Sequence, residues 1–542
     1  MAVAKIRLDD ATLYDRLSWA LLAVLVLVVL LTFRDYGIAW DEPVQNVYGK
    51  MALNYYLTLG QDTSSFRYIN LHWYGALVDM INAAANKISP FFEYDTRHLV
   101  CGLIGVAGVA GTWRLGRFFG GPRVGFVAAL LLALTPVWHG STFINPKDVP
   151  FAVGMVWGTL FMVRIARDLP RWRWGDFVGV GAAAGVALGA RVGGLIALTY
   201  LAALLAMFAG LQLLDRVPLP RVARQLAGLI APAAAASAIA LAIMYLSWPW
   251  AQSKPIAGPI EAFKSFNHFP IKFDFPYFGM IVDSTDVPWY YEPAFFAIML
   301  PEIAAPAFIA ACLMGAAALW RGRRGPYAPM LPHLLLALTI AFPMVYAPLT
   351  GSVLFDGLRH MFFVMPAVMV AVALALGWLI LTGAVGRGAA TALLTLTVAN
   401  QAMLMARSHP YQYVVYNAYV GGTAGAEGRF ELDYWGIAFR EIVAEMDQRL
   451  KLHGEGPTRA RPWRVTVCGP EQSAELFYPP GYVLVPWQDV TNADFFISNT
   501  RYQCPVRPTL ADSPVFADVR RFGAVLARVY DLRASPGRSS SH

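Results

Sequence analysis

Long apolar runs recur along this chain too often for a water-soluble core to bury them. Segments of about 17 to 25 apolar residues cross a ~30 Å hydrocarbon layer as helices, and the chain carries about eleven of them. They cover residues 17–33, 98–119, 124–140, 149–165, 177–190, 192–214, 226–247, 295–320, 331–349, 361–381 and 389–405, each bounded by charged or Pro/Gly-rich residues. Hydrophobic residues make up 57% of the sequence and charged ones only 14%. That balance requires an integral membrane protein, and the predicted fold is an all-α polytopic bundle.

The formal charge of +8 does not point to nucleic acid, because the arginines sit in short connections between apolar runs. Arg114, Arg117 and Arg123 follow the second run, Arg164, Arg167, Arg171 and Arg173 the fourth, and Arg216, Arg221 and Arg224 the sixth. Arg321, Arg323 and Arg324 follow the eighth, and Lys5, Arg7 and Arg16 precede the first. Every second connection is thus arginine-rich, as cytoplasmic loops are. The N-terminus is therefore expected inside, and an odd number of spans places the C-terminus outside. No small-x-small cleavage site precedes Arg34, so the first run reads as an uncleaved anchor.

Residues 1–405 read as the membrane domain, with outward loops 34–97 and 248–294; residues 406–542 read as a second, extracytoplasmic domain. There, 436–452 has helical spacing of Ile437, Ile442, Val443, Met446 and Leu450, while 465–467, 482–485 and 495–497 read as strands. A small α/β domain is expected, ending in a disordered stretch from Ser535. Cys468 and Cys504 both fall in this disulfide-permitting compartment, as a bridge or as two buried thiols.

The outward ends of the spans gather the unusual residues. Asp41 and Glu42 follow the first run; ionisable groups at the mouth of a membrane bundle point to function. A surface ion pair with Arg34 is the plainer alternative. Asn145, Pro146, Lys147 and Asp148 precede the fourth run, where Asp148 also suits a helix N-cap. Asp356, Gly357, Leu358, Arg359 and His360 open the tenth, where the last two also suit an interfacial anchor. The loop 248–292 carries Lys254, Lys264, His268 and Lys272, and its Trp289, Tyr290 and Tyr291 read as an aromatic belt.

The order and side of these motifs resemble the GT-C membrane glycosyltransferases, specifically bacterial relatives of the protein O-mannosyltransferases and the lipid A aminoarabinose transferase. His409-Pro410-Tyr411-Gln412-Tyr413, Gly421-Gly422 and the block from Phe430 to Gly436 add to the likeness, which spans most of the chain to about residue 440. The resemblance implies a bacterial inner-membrane enzyme that moves a hexosyl or pentosyl group from a polyprenyl-monophosphate donor to an extracytoplasmic lipid, glycan or protein. It implies Asp41 as general base, Glu42 as its neighbour, Asp148 as the second-loop acid, and Lys147, Arg359 and His360 at the donor phosphate. Carboxylate-assisted attack and cationic stabilisation of a departing phosphate are the chemistry such residues supply. A single displacement would invert the anomeric centre.

Asp41, Glu42, Asp148, His72 and His139 are the side chains that a divalent cation would need, but their spacing matches no metal motif, so the cofactor stays unassigned. There is no phosphate-loop sequence and no room for a nucleotide domain in the short inner loops, so no nucleotide is expected. A secondary transporter is the competing class, yet transporters place ionisable groups at the midplane, whereas here they sit at the outer ends. An inactive glycan- or lipid-binding protein is the third reading.

Overall fold

The computed structural model describes residues 8–267, 272–322, 324–457, 461–501 and 513–533. Lys5, Arg7, His268, Arg323, Cys504 and the end from Ser535 lie outside the described residues.

Nine helices among the described residues are long and apolar enough to cross a membrane. One of them, Glu93–Ala133, holds two of the expected spans, because Gly121 turns to φ +80° and Pro122 follows it. The shorter apolar helix Trp174–Ala190 coincides with the fifth expected span. The membrane portion is thus the predicted all-α bundle.

Proline and extended residues redraw three boundaries. The expected span 124–140 stops at Ala133; Thr135 is extended and Pro136 opens a separate helix, Pro136–Ile144. The expected span 295–320 is two helices, Tyr291–Met299 and Ala304–Gly322, parted by extended Leu300 and by Pro301. The expected span 361–381 enters through a 3₁₀ segment, Gly357–Val364, before the helix Met365–Leu381.

Small residues let the central helices approach closely, which is how helices pack when lipid offers no hydrophobic contrast. A Cβ on Gly154 would lie 2.8 Å from the Ala183 carbonyl oxygen, and one on Gly181 would lie 2.5 Å from that of Ala236. Helix Asp148–Asp168 is consequently buried along most of its length, while Ala304–Gly322 and Ala384–Ser408 face outward.

Between helices Leu219–Ser247 and Ala304–Gly322, β1 (Asp274–Tyr277) and β2 (Met280–Asp283) form an antiparallel hairpin. The C-terminal unit is a five-stranded mixed sheet of β3 (Trp463–Cys468), β4 (Tyr482–Leu484), β5 (Phe495–Asn499), β6 (Val515–Arg521) and β7 (Ala524–Asp531), in the order β4-β3-β5-β7-β6. Strand β3 is parallel to β4 and β5; β7 is antiparallel to β5 and β6. Helix Phe439–Leu452 buries Ile442, Val443, Met446 and Leu450. Cys468 is disulfide-bonded. The predicted small α/β domain is therefore present.

The segment joining bundle to sheet is held against the first loop. Trp40 N donates to the Trp435 carbonyl at 2.8 Å, and Gly37 passes so close to Ile437 that a Cβ would meet its carbonyl oxygen at 2.1 Å.

Candidate active site

Asp41 is the N-cap residue of helix Glu42–Leu57, yet its carboxylate makes no capping bond. It faces Arg359 instead, with Oδ2 3.0 Å from Nη2. Arg34, its other candidate partner, lies over the Phe33 and Phe91 rings. Glu42 points away from Arg359, since the next residue on a helix is rotated about 100° around the axis. Its Oε2 accepts from Ala39 N at 2.8 Å and meets His98 Nε2 at 3.1 Å, almost fully buried.

The capping role expected of Asp148 falls to Asn145. The Asn145 Oδ1 accepts from Asp148 N at 2.9 Å and Lys147 N at 3.3 Å, and its amide donates to Asp148 Oδ2 at 2.9 Å. The buried Asp148 carboxylate then pairs with Arg191 and, at 3.2 Å, with Arg359 Nε. Lys147 sits with its ammonium 4.1 Å from the centroid of Tyr74; among the described residues no carboxylate lies within ion-pair distance of it.

Asp356 adopts a left-handed conformation, φ +59°, ahead of Gly357 at φ +63°. This reversal brings its Oδ2 to 2.8 Å from Arg359 Nη1. The Arg359 fork therefore holds one oxygen from each of three carboxylates, over the Trp435 ring at 4.6 Å. Arg501 reaches the other Asp356 oxygen at 3.1 Å. His360 packs edge-on against Phe355.

These groups meet at one end of a cavity of about 1180 Å³ lined by Asp41, Lys147, Arg191, Asp356, Arg359, His360 and Arg501. Its other walls are apolar: Leu195, Ile196, Leu198 and Ala202 come from one membrane helix, Phe342, Pro343 and Tyr346 from another. Glu42 does not line it. His72 packs at a tilt against Trp73 and edge-on against Trp250, and His139 edge-on against Phe143, so neither joins Asp41 and Asp148. Among the described residues no three His, Cys, Asp or Glu side chains are gathered as a metal would need.

Electrostatics favour an anion in this cavity. Burial works to protonate Asp41, but Arg359 and Lys147 prevail and hold it below the usual carboxylate range. Burial is also the main influence on Lys147, lowering it from the ordinary lysine value. Glu431, near Arg501, is pushed up to about 8 by burial, so it adds little negative charge at neutral pH. Among the described residues, the cavity-lining cations Lys147, Arg191, Arg359 and Arg501 then outnumber by one the lining acids Asp41 and Asp356 together with Asp148 behind them.

Sequence reasoning missed Arg191 and Arg501. For Arg191 a signal was present: an arginine at a turn expected outside runs against the positive-inside pattern. For Arg501 there was none, because its place depends on how the C-terminal sheet docks.

Residues 81–250 match the model of the family described as dolichyl-phosphate-mannose-protein mannosyltransferase. The chain resembles the GT-C membrane glycosyltransferases. The matched stretch contains Lys147, Asp148 and Arg191, while Asp41 and Arg359 fall outside it. Among solved structures, ArnT from Cupriavidus metallidurans in the apo state aligns at 16% identity and a TM-score of 0.49, covering 95% of this chain and 98% of that one. The oligosaccharyltransferase AglB from Archaeoglobus fulgidus, in complex with an inhibitory peptide and a dolichol-phosphate, aligns at 13% identity and a TM-score of 0.46, covering 89% and 69%. No curated protein matches the chain.

Proposed function

We propose that the chain is a glycosyltransferase that takes a hexosyl or pentosyl group from a polyprenyl-monophosphate donor and passes it to an extracytoplasmic acceptor hydroxyl. One observation carries this reading: a single cavity joins a cationic, carboxylate-bearing end to a long apolar wall formed by two membrane helices. A lipid phosphate has that same division into an anionic head and an apolar tail. The family description of residues 81–250, with its dolichyl-phosphate-mannose donor, supports the same donor class.

Within this reading Lys147 meets the donor phosphate, since its ammonium is uncommitted to a carboxylate among the described residues, and Arg191 assists it. Arg359, occupied by three carboxylates, sets the position and charge of Asp41, with His360 beside it at the cavity wall. Asp41 is the general base: it is the most exposed of the three acids on Arg359, at 26% against 1% for Asp148 and Asp356. Asp148 anchors Arg359 and Arg191, and Glu42 fixes the turn behind Asp41. One displacement with the acceptor opposite the phosphate inverts the anomeric centre.

The arginine-rich connections orient the protein in a bacterial inner membrane. Arg164 lies sixteen residues beyond Asp148 on one helix, about 24 Å along its axis. With that arginine end cytoplasmic, the cavity opens outside, the N-terminus is inside and the C-terminal unit outside.

The test is transfer of label by the purified protein from a panel of synthetic polyprenyl-phosphate hexoses and pentoses to acceptors in the cell's own envelope fraction. Transfer with inverted configuration is expected. Uptake into sealed vesicles with no transfer would establish transport instead, and retained configuration would remove the single displacement.

A further inference from the structure

Among the described residues, Arg501 is the one cavity-lining cation that belongs to the C-terminal unit, just beyond β5. Its backbone N–H donates to Asn499 Oδ1 at 3.1 Å and its Nη1 to the Tyr434 carbonyl at 3.0 Å. The guanidinium lies 4.9 Å from the Trp40 ring centroid in the first outer loop and 5.0 Å from that of Phe273 in the long loop. Only 7% of the residue is exposed. A planar cation between two aromatic faces, with a carbonyl on one edge, has little freedom to turn.

Its other edge meets Asp356. Arg501 Nη2 is 3.1 Å from Oδ1, while Oδ2 of the same carboxylate receives Arg359 Nη1 at 2.8 Å. One carboxylate thus links two guanidinium groups, one from the sheet unit and one from the mouth of a membrane helix. Asp356 is also a non-glycine residue in the left-handed region, a conformation that persists only where surrounding contacts enforce it.

We propose that Arg501 is a positioning residue, delivered by the C-terminal unit to hold Asp356 and, through it, the Arg359 fork that sets Asp41. The C-terminal unit is on this view a structural part of the active site rather than an appended module. The inference rests on the transferase reading above.

The test uses the full chain carrying Arg501→Gln, Arg501→Lys, Asp356→Asn, or Arg501→Gln with Asp356→Asn, assayed for label transfer from the same donor panel. A displacement of about 1 Å at a reacting group can cost about 10²-fold in rate, so loss of the ion pair that holds Asp356 predicts a kcat about 10- to 100-fold lower for Arg501→Gln. Donor KM should stay within about threefold, because Lys147 and Arg191 still meet the phosphate. Arg501→Lys should recover part of kcat, and the double variant should be no slower than the slower single one, as residues acting through each other behave. Wild-type kcat in Arg501→Gln, or a double variant slowed by the product of the two single effects, overturns the inference alone. Should Arg501→Gln fail to fold, Arg501→Lys decides: reduced kcat at an unchanged melting temperature supports positioning, and wild-type kcat ends it. A wild-type chain that transfers no sugar removes the transferase reading and this inference together.

Discussion

Asp41 and Arg359 are 318 positions apart in the chain, yet their Oδ2 and Nη2 atoms lie 3.0 Å apart. The contact joins the loop after the first membrane helix to the mouth of a late one. Arg359 also holds Asp148 and Asp356, so its charge is divided among three acids. Asp41 and Asp356 both line the cavity, but Asp41 is much the more exposed, at 26% against 1%, and on the proposed reading it is the carboxylate that meets an incoming hydroxyl.

Asp41→Asn should leave the fold intact, since Arg359 keeps Asp148 and Asp356 and no helix cap is lost. Removing a general base typically costs about 10²- to 10⁴-fold in rate. Transfer should therefore fall by that order at an unchanged melting temperature. Turnover within a few-fold of wild type would take the base role from Asp41.

The pH profile has a defined shape. Burial opposes charge on Asp41, but Arg359 and Lys147 outweigh it and lower its pKa, so the proposed base stays ionised to lower pH than an ordinary carboxylate. Lys147 is lowered, chiefly by burial, and loses its charge as pH rises before an ordinary lysine would. kcat/KM should be flat across neutral pH, fall on the acid side only below the usual carboxylate range, and fall early on the alkaline side. Lys147→Arg, which stays charged, should move the alkaline limb upward. An alkaline limb that does not move assigns that titration to another group.

Behind the site, Asp79 and Arg97 form a buried pair at 3.1 Å, with Arg97 fully enclosed. Burial raises Asp79 above its usual value despite Arg97, so this pair is held by the fold at some cost. Removing one partner of such a pair typically costs about 3–5 kcal/mol, because the other charge is left buried alone. Asp79→Ala should lower the unfolding midpoint in detergent by a corresponding amount, and Asp79→Ala with Arg97→Met should recover much of it. Equal midpoints for wild type and the single variant would show that water reaches Arg97.

Much of this was legible because membrane insertion is a local property. Span length and loop arginines are read within a few tens of residues, and among the described residues the nine helices long and apolar enough to cross a membrane fall on the expected runs. Asp41, Lys147, Asp148 and Arg359 were found by the side on which they emerge, and they do converge. Glu42 could not be separated from Asp41 by pattern alone: adjacent helical residues diverge, and Glu42 turns to His98. The pairing β6 with β7 was also missed, although Val515, Ala517 and Val519 alternate before the turn at Gly523. Arg501 lay beyond reach, since no local signal encodes which face of a sheet docks on a distant loop.

That docking can be tested through Gly37. A Cβ there would lie 2.1 Å from the Ile437 carbonyl oxygen and 2.9 Å from its carbon, and backbone cannot move aside as the end of a side chain can. The first loop would have to separate from the segment that holds Trp40 N through Trp435 O, and Asp41 follows Trp40 directly. Trp435 also carries the Arg359 guanidinium on its ring, so both sides of the central ion pair would shift. A displacement of about 1 Å at a reacting group can cost about 10²-fold in rate. Gly37→Ala should therefore lower transfer by roughly that factor, while Gly228→Ala, on a helix with nothing within 4 Å of its added carbon, should leave it unchanged. Full transfer by Gly37→Ala would mean that the contact between first loop and C-terminal segment does not set the position of Asp41.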